Sequence, residues 1–104
     1  MYKHKYDVRI DSVINDKMYS HIRFLAQVSI SAANRLYCSL EAAIESLRDC
    51  PYSCPKYTPK KPIDAELRYK LCANRYRIIF EIVENFVYVY DIQDCRQDTD
   101  KNLI

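Results

Sequence analysis

Arg68, Lys70, Arg75 and Arg77 lie within ten positions of a 104-residue chain, and Tyr88 and Tyr90 follow in the same β-rich stretch. Guanidinium groups hold their charge and donate hydrogen bonds in pairs, and cations interleaved with aromatics suit a phosphate backbone with stackable bases. The stretch reads LRYKLC-AN-RYRIIFEIV-EN-FVYVYDIQDCRQD, three β-rich runs divided at Ala73-Asn74 and Glu84-Asn85. That pattern predicts a three-stranded meander. If each break is a two-residue loop, Cys72 faces Arg75, Lys70 faces Arg77 and Arg68 faces Ile79. Leu67, Tyr69, Leu71, Tyr76, Ile78, Phe80, Ile82, Val87 and Val89 then form one apolar side, and the four cations share the other side with Tyr88 and Tyr90. Like charges set opposite one another weaken a sheet pair by roughly 0.2–1 kcal/mol, so such a cluster invites an anion. The same residues also read as a solvated face balanced by Glu66, Glu81 and Asp94. With no glycine in the chain, Asn74 and Asn85 are the residues expected to supply left-handed turn conformations.

The elements that must position this stretch come before it. Tyr6, Val8 and Ile10 alternate with charged residues, which predicts a first strand from about His4 to Asp11. Ser12 offers an N-cap, with Asp11 or Asp16 suited to the positive end of the following helix. From Val13 to about Val28 the residues Ile14, Met18, Ile22, Leu25 and Val28 recur at helical spacing. Ser31 can cap a second helix running to about Asp49, striped by Leu36, Leu40, Ile44 and Leu47 and lightened by alanines that allow close packing. The break between the two is short enough to force an antiparallel hairpin, with Tyr19, Arg35 and Tyr37 outward. All four prolines fall in the basic segment from Cys50 to Ile63, where no regular structure is expected. This segment is either a stiff connector or the rim of the cationic face. After Asp98 the tail has no pattern that demands order. The chain is therefore one α+β domain, β-α-α-β-β-β, with an antiparallel sheet covered on one face by a helical hairpin.

Composition narrows the chemistry. The absence of glycine excludes Gly-rich phosphate loops and dinucleotide fingerprints. A net charge of +2 is too small for whole-molecule attraction to nucleic acid, so any such binding must come from a local patch. The opening residues carry no apolar run of signal-peptide length, and no run approaches the roughly 18 apolar residues of a membrane span. A cytoplasmic protein is expected, with its five cysteines as thiols. Cys50 and Cys54 have zinc-like spacing but no second pair, and no histidine is placed to activate a catalytic thiol, so no metal or cofactor is expected.

The helix ending AAIESLRDCP, the strand LRYKL, the strand RYRIIFEI and the closing VYVYDIQDCRQD together resemble the RelE/ParE superfamily of bacterial toxins from type II toxin-antitoxin systems. The similarity runs from about Tyr6 to Asp98. It implies a small sheet packed on a helical hairpin and a cognate antitoxin whose extended C-terminal segment wraps the toxin. It also implies one of two activities: metal-independent cleavage of messenger RNA on the ribosome, as in RelE-like members, or poisoning of DNA gyrase, as in ParE-like members. Arg77, in RYRI, matches the arginine that RelE-like nucleases set against the cleaved phosphate, and Arg68 matches an arginine common to both branches. Asp94 stands where the nucleases usually place a histidine near the end of the last strand. An ionised aspartate only accepts hydrogen bonds and cannot protonate a leaving oxygen. His4 and His21 are distant in the chain, and Tyr88 or Tyr90 would be a substitute with an ordinary pKa near ~10. Lys70, Arg75, Arg96 and Tyr88 complete the surface expected to meet an anionic or acidic target. The departures at the histidine position, the low charge and the RQD ending favour the ParE-like branch. RNA cleavage by Arg77 and Arg68 with Asp94 or Tyr90, and a non-toxic relative kept as a binding module, are the alternatives.

Overall fold

The computed structural model describes residues 4–96, so the tail expected after Asp98 lies outside the described residues. Chain order is β1 (Asp7–Ile10), α1 (Ser12–Ala26), α2 (Ile30–Leu47), a 3₁₀ turn at Pro51–Ser53, β2 (Lys56–Tyr57), β3 (Leu67–Cys72), β4 (Tyr76–Val83) and β5 (Phe86–Asp94). The five strands form one sheet in the order β1-β5-β4-β3-β2. The α+β fold with a helical hairpin on the sheet is as expected, with two corrections. β1 runs parallel to β5, pairing Asp7 with Phe86 and Ile10 with Val89, so the sheet is mixed rather than antiparallel. Alternation along a strand reports which face it buries and carries no information about its direction. The proline-rich segment also contributes β2, which pairs Lys56 with Arg68 and Tyr57 with Leu67.

Both helices are capped one or two residues earlier than the spacing predicts. Asp11 accepts the Ile14 N–H at 2.9 Å, and Ser29 accepts the Ala32 N–H at 3.1 Å. Ser12 and Ser31 therefore lie inside the helices. α1 stops at Ala26, which leaves Val28 in the connection and 82% exposed instead of in the stripe. The rest of the pattern packs as read: Ile14 and Met18 of α1 meet Leu36, Leu40 and Leu47 of α2 over Tyr76, Ile78, Phe80, Val87, Val89 and Ile92. α1 rests on β5 and α2 on β3. Each fully buried aliphatic or aromatic side chain here contributes about 1.5–3 kcal/mol of transfer free energy.

The two hairpins differ. Val83 pairs with Phe86, so the β4–β5 turn is the two-residue loop expected, although its left-handed residue is Glu84 (φ 55°) and not Asn85. In the β3–β4 turn Ala73 (φ 54°) and Asn74 (φ 61°) are both left-handed, and Arg75 is an extra residue before pairing begins at Cys72 opposite Tyr76. The Arg75 carbonyl accepts the Cys95 N–H at 2.6 Å, which ties this residue to the β5 side. The register is one residue from the expected one, and a slip of one exchanges faces. Arg68 now pairs with Phe80 and Lys70 with Ile78, beside the helices, whereas Leu67, Tyr69 and Leu71 pair with Glu81, Ile79 and Arg77 on the other face.

A second irregularity lies in β5. Ile79 pairs with Asp91 and Phe80 with Val89, leaving Tyr90 as the extra residue of a β-bulge. Before the bulge the odd residues Val87 and Val89 enter the core, and after it the even residue Ile92 does. Asp94, paired with the core residue Tyr76, is thereby turned away from the face that carries Tyr88 and Tyr90.

Candidate functional site

The four cations expected on one surface are divided between two. Arg68 lies over the Tyr52 ring at 5.2 Å, donates to the Cys54 carbonyl at 2.7 Å and pairs with Glu66 at 3.3 Å. It holds the turn after α2 against β3. Lys70 faces the same way and its ammonium partly offsets the burial that pushes the Cys54 and Cys72 thiols up. Arg75 lies over the Tyr76 ring at 5.1 Å and reaches Asp94 at 3.7 Å. Asp94, 7% exposed, also accepts the Arg96 backbone N–H at 3.0 Å and meets the Arg96 guanidinium at 3.5 Å. It is an acceptor shared by two arginines at the end of the sheet.

Arg77 alone of the four stands on the face opposite the helices. Its Nη2 donates to Gln93 Oε1 at 2.9 Å, and its guanidinium carbon lies 5.4 Å from the centre of the Tyr57 ring. Tyr57, on the two-residue strand β2, is itself edge-on to Tyr69 at 6.2 Å. The Arg77 Nε is buried and has no hydrogen-bond partner among the described residues. Gln93 is wholly buried and passes the connection on, its Nε2 donating to Asp91 Oδ2 at 3.1 Å. Asp91, 2% exposed, accepts the Ile92 N–H at 2.9 Å and Lys17 Nζ at 2.6 Å. Lys17 can reach it because β1 ends at Ile10 opposite Val89, leaving β5 without that neighbour from Tyr90 onward. The result is a chain of groups, Arg77–Gln93–Asp91–Lys17, from the open face to α1. The carboxylate is answered by the lysine, and among the described residues the guanidinium meets a neutral amide and the Tyr57 ring, with no carboxylate paired to it. A guanidinium so placed can bind an anionic oxygen from outside.

The remaining named residues lie further along the same face. Tyr90 donates to Glu81 Oε1 at 2.5 Å, and that bond, with burial and the carboxylate charge, pushes its phenol up to about 12. Tyr88 stacks on Phe86 at 5.9 Å and 28°, and Arg9 of β1 covers Phe86 at 5.3 Å while pairing with Asp7 at 2.6 Å. Arg9, Phe86, Tyr88 and Tyr90, with Ile10 and Val89, line a cleft of about 540 Å³. Of the residues assigned to cleavage, Arg77, Arg68, Asp94 and Tyr90, each is bonded to a different set of neighbours.

Sequence reasoning passed over Gln93, Asp91, Lys17 and Tyr57. Lys17 and Asp91 are 74 positions apart, and a lysine on the flank of an amphipathic stripe reads as solvated. It also set His21 aside as remote from the last strand. The fold brings His21 Nε2 to 3.0 Å from the Ile92 carbonyl and its ring edge-on to Tyr76 at 5.3 Å. Among the described residues no three His, Cys, Asp or Glu side chains gather to hold a metal ion, and no helix is long and apolar enough to cross a membrane.

Comparison with known proteins agrees with this architecture. No curated protein matches the chain significantly. Residues 14–99, which run from the third residue of α1 through α2 and the whole meander, match the family model described as the ParE toxin of the type II toxin-antitoxin system parDE, and the chain belongs to that family of toxins.

Proposed function

We propose that this toxin arrests growth by binding an essential macromolecule, DNA gyrase, and that a cognate antitoxin neutralises it by wrapping its surface. The observation that carries the reading is the company Arg77 keeps: an amide, the Tyr57 ring and an orphaned Nε, while Asp94 and Tyr90, the groups considered for proton transfer, are bonded to other neighbours. Cleavage of a phosphodiester needs a base and an acid within hydrogen-bond reach of the reacting oxygens, at a pKa near the working pH. Tyr90 is bonded to Glu81 and raised to about 12, and Asp94 is turned to the helix side between two arginines. What Arg77 supports is recognition of a carboxylate or phosphate on a target, with Tyr57 and Tyr69 as the flanking contact surface and Lys70, Arg75, Arg96 and Tyr88 in supporting positions around the sheet.

The test is induced expression without antitoxin, followed by separate assays of DNA supercoiling by purified gyrase and of transcript integrity. Growth arrest with inhibited supercoiling and intact transcripts is expected, and Arg77→Ala should weaken the inhibition by about tenfold, the scale of one charge-assisted contact. Transcripts cut on programmed ribosomes, with cutting abolished in Arg77→Ala, would replace this reading with the endonuclease. Normal growth would replace it with a non-toxic binding module.

A further inference from the structure

α1 and α2 enclose a second recess, remote from Arg77. It is a solvent-open groove of about 580 Å³ with Met18 and Ile44 at its base and Tyr19, Tyr37, Glu41 and Glu45 among its walls. The two tyrosine rings stack at 6.4 Å and 29°. Glu45 is answered by Arg48 at 3.1 Å and by His4 at 3.1 Å. Glu41 is not: its neighbour is the neutral phenol of Tyr37, whose proton it holds so firmly that the group is pushed up to about 12. Among the described residues Glu41 has no cationic partner. An unanswered carboxylate beside two stacked aromatic faces over an apolar base is the environment a guanidinium fits, since that group pairs with the carboxylate in its plane and stacks on rings with its face. An ammonium lacks the planar face, and a nucleic acid phosphate is repelled by the unpaired Glu41.

We propose that this groove is a docking site for an arginine carried on an apolar segment of a partner protein, with the guanidinium paired to Glu41 and laid against the Tyr19–Tyr37 stack. The inference rests on no part of the gyrase reading and concerns the opposite side of the molecule from Arg77.

The test uses the full chain and a synthetic helical peptide bearing one arginine among leucines and alanines, with a twin in which citrulline replaces arginine, keeping the planar group while exchanging the charge and one nitrogen's donors for a carbonyl oxygen. Binding is followed by calorimetry and by the ring resonances of Tyr19 and Tyr37. The arginine peptide should shift both rings, and the citrulline twin should bind about tenfold more weakly, the scale of a partly desolvated cation held by rings and a carboxylate. Glu41→Gln, at an exposed position, should lose the same factor, whereas Tyr37→Phe, which keeps the ring and frees Glu41, should bind at least as tightly as the native chain. Failure of the arginine peptide to bind, equal binding of the two peptides, or indifference to Glu41→Gln would each overturn the proposal.

Discussion

The half of the open face around Arg77 and the half around Tyr88 are carried by the same two central strands, yet they are built on opposite principles. Around Arg77 the polar side chains are inside: Gln93 and Asp91 are buried, and each bonds to the next until Lys17 closes the chain. Around Tyr88 the aromatic side chains are outside, with Tyr88 and Tyr90 exposed beside Phe86 and held by rim contacts to Arg9 and Glu81. Buried polar groups are costly to leave unpaired, so the first half has one permitted arrangement. The second can adjust to what it meets. A binding surface that needs one fixed charge and an adaptable aromatic margin is served by having the two side by side.

Removing the lysine from the buried chain should have the largest effect. Lys17→Ala leaves the Asp91 carboxylate buried without its cation and should cost about 3 kcal/mol in urea unfolding. A cost near that of an ordinary surface substitution would mean that the first half is not locked as described. Gln93→Leu strips one partner from Arg77 and one from Asp91 and should cost about 2 kcal/mol by the same measurement. At the turn beside this half, Ala73→Gly relieves a left-handed alanine (φ 54°) and should stabilise by about 1 kcal/mol. Tyr88→Ala should move stability by less than about 0.5 kcal/mol while reducing growth arrest, which separates the exposed half from the buried one.

The smallest effect is a pH dependence. The folded-state pKa of Tyr90 is raised above its ordinary value to about 12, so the contribution of its bond to Glu81 is fully present below the unfolded pKa near ~10 and is lost as pH rises through the folded value. The small stability gap between the native chain and Tyr90→Phe should therefore be constant at neutral pH and close in that alkaline window. In an absorbance titration the variant should lack one late-ionising phenol.

Much of the fold was legible because it depends on periodicity. The stripes Ile14–Met18 and Leu36–Leu40–Leu47, and the alternation Tyr76–Ile78–Phe80, are spaced as their packing requires. What escaped depends on single insertions. Arg75 after the first turn exchanges the faces of Arg68 and Lys70, and Tyr90 in the bulge exchanges the face of Asp94. Neither leaves a mark in composition, because an extra residue in a β ladder is defined by which backbone groups pair and not by its side chain. The site shows the same division. Arg77 is visible as a charged residue in an apolar strand, but the partners that give it meaning come from β2, β5 and α1.

The parallel pairing of β1 with β5 has a consequence for biosynthesis. The first strand of the sheet must wait for the fifth, because Asp7 to Ile10 have no ladder partner until Phe86 to Val89 have been made. Contacts so distant in the chain form late, after local hairpins have had time to assemble. A nascent toxin domain thus stays unfinished at one margin until β5 has been made, and a chain cut short after β4 would leave β1 unpaired.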